Sequence, residues 1–197
     1  MNNLLGYILI AFVIVICVKT YYDSEERKLI CSISTVNGEK YCVRERKQLK
    51  NAVDLLANTS EKMKQLVKYL NDTYPNRDNV KRLVKKFNPN KIKETLPTSE
   101  FTAYSENKGE KLALCLNKKN EDNSNLIDEN TLMFVAIHEL GHIASETIGH
   151  NDEFWYNFKF LLENAVKINI YHPVDYNKNS TEYCGMQITD NPYYDLE

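Results

Sequence analysis

The residues best equipped for chemistry are His138, Glu139, His142 and His150, in the stretch Phe134-Val135-Ala136-Ile137-His138-Glu139-Leu140-Gly141-His142 and the segment after it. All four histidines of the chain lie between positions 138 and 172. His138 and His142 are four apart, so on a helix their imidazoles leave one face and can grip one ion. Glu139 is about 100° further round, badly placed as a third ligand but able to reach a water on that ion. Gly141 leaves room for another backbone to approach between the two imidazoles. A catalytic zinc takes three protein ligands and keeps a fourth position open. His150, just past the expected helix end, is the natural third ligand, and one Zn2+ is the expected cofactor. His172, before Pro173 in an expected loop, is read as structural or exposed.

A chance H-E-x-x-H is expected in well under about 1% of sequences with this histidine content. The competing reading is a hydrogen-bonded pair of core histidines. The chemistry implied by the first reading is hydrolysis, with zinc activating a water and Glu139 as general base. A further donor to the oxyanion is expected, and Tyr176 and Tyr183 are candidates by position alone among thirteen tyrosines.

Several elements must position these groups. Met133, Ile137, Leu140 and Ala144 form one apolar stripe on the helix that carries the motif, with Asp128 as N-cap and Gly149 as C-terminal stop. A second amphipathic helix is expected over 152–167, with Phe154, Phe158, Leu161, Leu162 and Ala165 inward. Thr102-Ala103-Tyr104 and Leu112 to Asn117 read as strands around Asn107-Lys108-Gly109, and a polar loop, 118–125, leads into the motif helix. One more strand is expected within 183–188. Upstream, the Asn37-Gly38 turn marks a hairpin over 29–44, in which a Cys31–Cys42 disulfide is possible but not required. Helical periodicity follows over 45–70 and 80–87.

The motif and His150-Asn151-Asp152-Glu153-Phe154-Trp155 together resemble the SprT and WLM zinc metallopeptidase group, over roughly residues 100–190. The resemblance implies His138, His142 and His150 as ligands, Glu139 as catalytic base, and Leu112–Leu116 as the edge strand along which substrate lies. Seven residues separate His142 from His150, a spacing that departs from several members of the group. The soluble members that cut proteins crosslinked to DNA lack an apolar N-terminus, so their substrate is not carried over. Membrane-anchored proteins similar to this one occur in large DNA viruses.

Leu4 to Val18 is an uninterrupted apolar run, and no charge precedes Lys19. Eighteen uncharged residues of helix would span about 27 Å, close to the roughly 30 Å hydrocarbon core. Lys19, Tyr21 and Tyr22 then suit the interface. The expectation is a single-pass membrane protein held in the bilayer through residues 4–18. The rival, a cleaved signal peptide, lacks basic residues before the run and a small-x-small site after it. The side of the membrane stays open, because Lys19, Arg27 and Lys28 favour a cytoplasmic body while three Asn-x-Ser/Thr sequons favour the opposite.

The chain has 197 residues, 43% hydrophobic and 26% charged, with a net charge of −2. That balance fits an ordinary globular body and gives no whole-chain reason to expect nucleic acid as a partner. The cation-rich stretch 77–93 reads as a solvated helix face. Cys31, Cys42, Cys115 and Cys184 allow three disulfide pairings, which the sequence leaves open. The expected fold is α+β: a small antiparallel sheet on the H-E-x-x-H helix, preceded by a helical region and a transmembrane helix. The expected division is an anchor at 1–22, a hairpin and helical region at 23–95, and a zincin-like core at 96–197. The expected partner is a protein or peptide substrate. Two other functions compete: a structural membrane protein with an idle zinc fold, and a nucleic-acid-associated protease using 77–93.

Overall fold

The computed structural model describes residues 2–22, 29–96, 99, 101–118 and 125–195. Arg27, Lys28 and residues 119–124 of the expected polar loop lie outside them. The first element is helix α1 (Asn2–Tyr22), whose side chains from Gly6 to Thr20 are exposed. Among the described residues, no helix is long and apolar enough to cross a membrane. The expected transmembrane anchor and membrane localisation are therefore corrected. The apolar run Leu4 to Val18 by itself gives about 22 Å of helix, short of the roughly 30 Å core, and polar residues make up the ends of α1.

Strands β1 (Leu29–Ile33) and β2 (Lys40–Arg44) form the hairpin expected at Asn37-Gly38, and Gly38 supplies a φ of +73° at the turn. Cys31 and Cys42 face one another directly in the register and are joined by a disulfide. Helices α2 (Leu49–Thr73) and α3 (Asp78–Lys86) follow. Next come a 3-10 turn, Pro89–Lys91, and β3 (Ile92–Glu94). Then β4 (Ala103–Glu106) and β5 (Lys111–Leu114) form a second hairpin. The sheet order is β1-β2-β3-β5-β4.

Two expectations change here. The sheet is mixed and not antiparallel, since β2–β3 and β3–β5 pair in parallel. Parallel neighbours need a long crossover, and α2 with α3 supplies it between β2 and β3. The strand over Leu112–Leu116 is also not the edge. β5 lies inside the sheet, and β4 is its end strand.

Helix α4 (Glu129–Ala144) carries the motif and α5 (Asp152–Lys167) packs against it. Asp128 caps α4 by accepting from the Thr131 N–H at 2.8 Å. The helix stops at Ala144, and Ser145 is its C-cap. Gly149, with φ +90°, belongs to the following turn and does not end the helix. The apolar stripe is buried, but Leu132, Phe134, Val135, Ala136 and Ile143 are buried too, so α4 is enclosed on nearly every side. It sits between the sheet, α2, α3 and α5.

The expected single strand near the C-terminus is a small hairpin, β6 (Thr181–Tyr183) and β7 (Met186–Ile188). A Cys115–Cys184 disulfide pins its turn to the end of β5. Backbone bonds from Cys184 N to Asn117 O and Gly185 N to Lys118 O reinforce the junction. Beneath it, Glu94 is fully buried between Arg44 and Arg46. Its carboxylate also accepts from the Arg44 N–H at 2.7 Å, and Arg46 donates to the Asn117 side chain at 2.7 Å. Buried charges survive only when partnered in this way, and the group ties β2, β3 and the exit of β5 together.

Candidate metal centre

Helix α4 presents His138 and His142 on one face, and the turn after it returns His150 to meet them. Ligand atoms of the three imidazoles lie within 4.8 Å of one another, and the Nε2 atoms of His138 and His150 are 3.0 Å apart. Around a tetrahedral zinc with bonds of about 2.0–2.1 Å, donor nitrogens stand roughly 3.3 Å apart. The donor set therefore fits one such ion in both chemistry and spacing. His172 lies elsewhere: its backbone exchanges hydrogen bonds with the Asn130 side chain at 2.8 and 2.9 Å.

Helix α5 forms the floor. Phe154 stacks on His142 with centroids 4.3 Å apart and meets His138 edge-on at 4.8 Å. Phe158, beside Phe154, also meets His138, at 5.1 Å. Gly141 makes this approach possible, because a Cβ there would lie 3.2 Å from Phe154 Cε2 and 3.5 Å from Phe158 Cβ. Burial, then the neighbouring imidazoles, pushes the His138 pKa down to about 3, and burial lowers His142 to about 4. Both rings are thus neutral near pH 7, the protonation state a metal ligand requires.

Glu139 is 5% exposed and lines the same cavity as the three histidines. Burial raises its pKa to about 8. The cavity holds about 820 Å³. One wall is the end strand, from Thr102 to Ser105, and another is the β6–β7 hairpin, through Tyr183, Met186 and Ile188. Phe134, Val135 and Phe158 make its apolar interior. Exposed apolar side chains stand around it: Phe101, Ile148, Trp155 and Met186.

The two candidate tyrosines are placed differently. Tyr183 lines the cavity, and its buried hydroxyl accepts from the Cys115 N–H at 3.0 Å and donates to the Thr102 carbonyl at 3.3 Å. Tyr176 is buried edge-on against Phe134, 5.0 Å between centroids, and is not among the residues lining the cavity.

Three polar residues around the centre have no local signature in the sequence. Lys108, in the β4–β5 turn, donates to the carbonyls of Ser145, Glu146 and Thr147. Glu153 accepts from the N–H groups of Glu146 and Thr147 and from the Thr147 hydroxyl. Arg82 donates to the Ala144 carbonyl at 2.8 Å and to Glu153 at 3.1 Å. An acidic residue in a first helical turn, such as Glu153, reads as a complement to the helix dipole, and nothing near Arg82 or Lys108 in sequence points to 144–147. Within the cation-rich stretch, Arg82 is thus an internal tie. Arg77 is another, 4.1 Å over the Phe160 ring and bonded to the Tyr156 hydroxyl at 2.7 Å.

No family model matches the chain. It is 29% identical to uncharacterized protein R325 of Acanthamoeba polyphaga mimivirus, over 92% of this chain and 94% of that protein. A shorter match, 36% identical, is to uncharacterized protein 136R of Invertebrate iridescent virus 6, over 29% of this chain and 33% of the relative. Another, 46% identical, is to uncharacterized protein 042R of Invertebrate iridescent virus 3, over 23% and 29% respectively. Among solved structures, Wss1 from Saccharomyces cerevisiae aligns over 64% of this chain and 84% of its own, with a TM-score of 0.47 and 17% identity. That overlap is too slight to carry fold or function across.

Proposed function

We propose that the chain is a zinc-dependent peptidase of viral origin, with His138, His142 and His150 as ligands and Glu139 as general base. The observation that carries this reading is the convergence of three imidazoles to ion-binding distance, beside a buried carboxylate on the wall of one cavity. The viral relatives support the origin. A zinc ion held there would lower the pKa of a bound water toward about 7 and polarise the scissile carbonyl.

The chain's own groups supply the remainder. Glu139 takes the proton of the attacking water and passes it to the leaving nitrogen. Its burial strengthens that role, since a carboxylate with a raised pKa is a better base, and a nearby cation would bring the value back toward neutrality. An extended peptide would lie along β4, the end strand, by main-chain pairing, and its apolar side chains would enter the Phe134, Val135 and Phe158 region. Of the two tyrosines only Tyr183 lines the cavity, and its one O–H would have to leave the Thr102 carbonyl to serve an oxyanion. A catalytically idle zinc scaffold is the alternative, and it has no use for Glu139.

The ligand assignment is tested by zinc content. Purified His150→Ala should lose the metal, while His172→Ala should keep one zinc per chain. The reverse pattern would overturn the site.

A further inference from the structure

We propose that Lys108, Glu153 and Arg82 act as positioning residues: together they clasp the 145–151 turn in the shape that brings His150 over His138 and His142. The proposal rests on the metal-site reading above.

Besides this clasp the turn has the His150 ring contacts with Phe154 and Trp155 and two side-chain bonds, Asn151 to the Thr147 hydroxyl at 2.6 Å and Asn157 to the Ser145 hydroxyl at 2.9 Å. Residues 146–150 are exposed, and Ile148 is 89% exposed, so apolar burial contributes almost nothing here. Seven residues lie between His142 and His150, enough for many other paths. The backbone groups of the turn are satisfied from outside. The Lys108 ammonium has three donors, and three successive carbonyls receive from it: Ser145 and Thr147, each at 3.1 Å, and Glu146 between them. The Glu153 carboxylate accepts from the Glu146 N–H at 2.8 Å with one oxygen. With the other it accepts from the Thr147 N–H at 3.1 Å and the Thr147 hydroxyl at 2.7 Å. Arg82 joins the two ends of the turn by donating to Ala144 O, at the end of α4, and to Glu153, in the first turn of α5.

Lys108 is itself fixed. Asn107, Lys108 and Gly109 all have positive φ, and Gly109 packs so closely that a Cβ would lie 2.7 Å from the Lys86 carbonyl and 3.1 Å from Ile143. The β4–β5 turn is thus wedged between α3 and α4. One consequence is that the end strand and the third histidine are mechanically joined through Lys108.

The test uses the full chain with zinc and cobalt as probes. Zinc affinity is read by chelator competition and ligand geometry by the visible spectrum of bound Co2+, for wild type, Lys108→Met, Glu153→Gln and the control Lys81→Met. Loss of such outer support typically weakens metal binding about tenfold or more. Lys108→Met and Glu153→Gln should both show that loss and a changed cobalt spectrum, while Lys81→Met matches wild type. Lys108→Arg, which keeps a cationic donor, should recover part of the affinity and of the spectrum, so that a fold defect in Lys108→Met is told apart from a lost contact. Clasp variants that bind zinc as tightly as wild type, with the wild-type cobalt spectrum, would overturn the proposal, even if their melting temperatures fell. No zinc binding by wild type, or undiminished binding by His150→Ala, would instead overturn the metal-site reading beneath it.

Discussion

Phe154 touches all three imidazoles at the centre. His142 lies on the face of Phe154, and His138 makes T-shaped contacts with both Phe154 and Phe158. His150 meets Phe154 at 4.7 Å and Trp155 at 5.9 Å between centroids, and its turn is held besides. Gly141 is the residue on which the first two arrangements depend. Gly141→Ala would gain about 1 kcal/mol of helix propensity, but it must move Phe154 by a few tenths of an ångström, and overpacking a tight core costs about 1–3 kcal/mol. The expected result is a net loss of about 1 kcal/mol in chemical denaturation, with weaker zinc binding because the His142 stack is displaced. Unchanged stability and affinity would show that the aromatic floor yields freely. The motif residues were legible in the sequence because His138, Glu139 and His142 lie within a single helical turn and a half. Phe154 and Phe158 were readable as an inward face, but their contact with the imidazoles was not, because it depends on the angle at which α5 crosses α4.

At the scale of elements, the turn between α4 and α5 sets where His150 stands, and its stability should depend on pH through Glu153. Hydrogen bonds from the Glu146 N–H and the Thr147 hydroxyl, with help from Arg82, hold the Glu153 pKa at about 2, against 4.5 for an unperturbed carboxyl. The unfolded chain therefore takes up the proton first as pH falls. The contribution is complete above about pH 4.5 and disappears as pH drops through about 2. Thermal melts between those limits should show a loss of stability in wild type that is smaller in Glu153→Gln. Parallel curves for the two proteins would mean that the carboxylate does not hold the turn. The helices were legible because their periods run for many residues. The parallel pairing was not, because β3 has only three residues and shows no alternation. The crossover that explains it, α2 and α3, read locally as a separate helical region.

At the scale of the molecule, the cavity exists because distant parts of the chain are fastened around α4. The Cys115–Cys184 bridge closes a stretch of 69 residues and fixes the hairpin that forms one wall. Loop-closure entropy for a stretch of that length corresponds to about 4 kcal/mol. Cys115→Ala/Cys184→Ala should lose about 2–5 kcal/mol of stability and expose the backbone of 181–188 to hydrogen exchange. Unchanged exchange in that segment would show that the hairpin is held without the bridge. The sequence left three pairings open, since only the topology brings the end of β5 beside residue 184. The N-terminal run misled for a related reason. Hydropathy counted every uncharged residue toward a span, whereas the apolar run itself, Leu4 to Val18, is short and polar residues make up the ends of α1.

The most direct test of the central claim, that this is a peptidase and not an idle zinc scaffold, is peptide-library hydrolysis by wild type and Glu139→Gln, read by mass spectrometry with zinc content measured alongside. Glutamine keeps the shape but cannot accept the water's proton. The account predicts that zinc stays bound and cleavage falls by a factor of about 10² to 10⁴, with the peptides cut by wild type carrying large apolar side chains near the scissile bond. Equal cleavage by both proteins, or none by a zinc-loaded wild type, would contradict it.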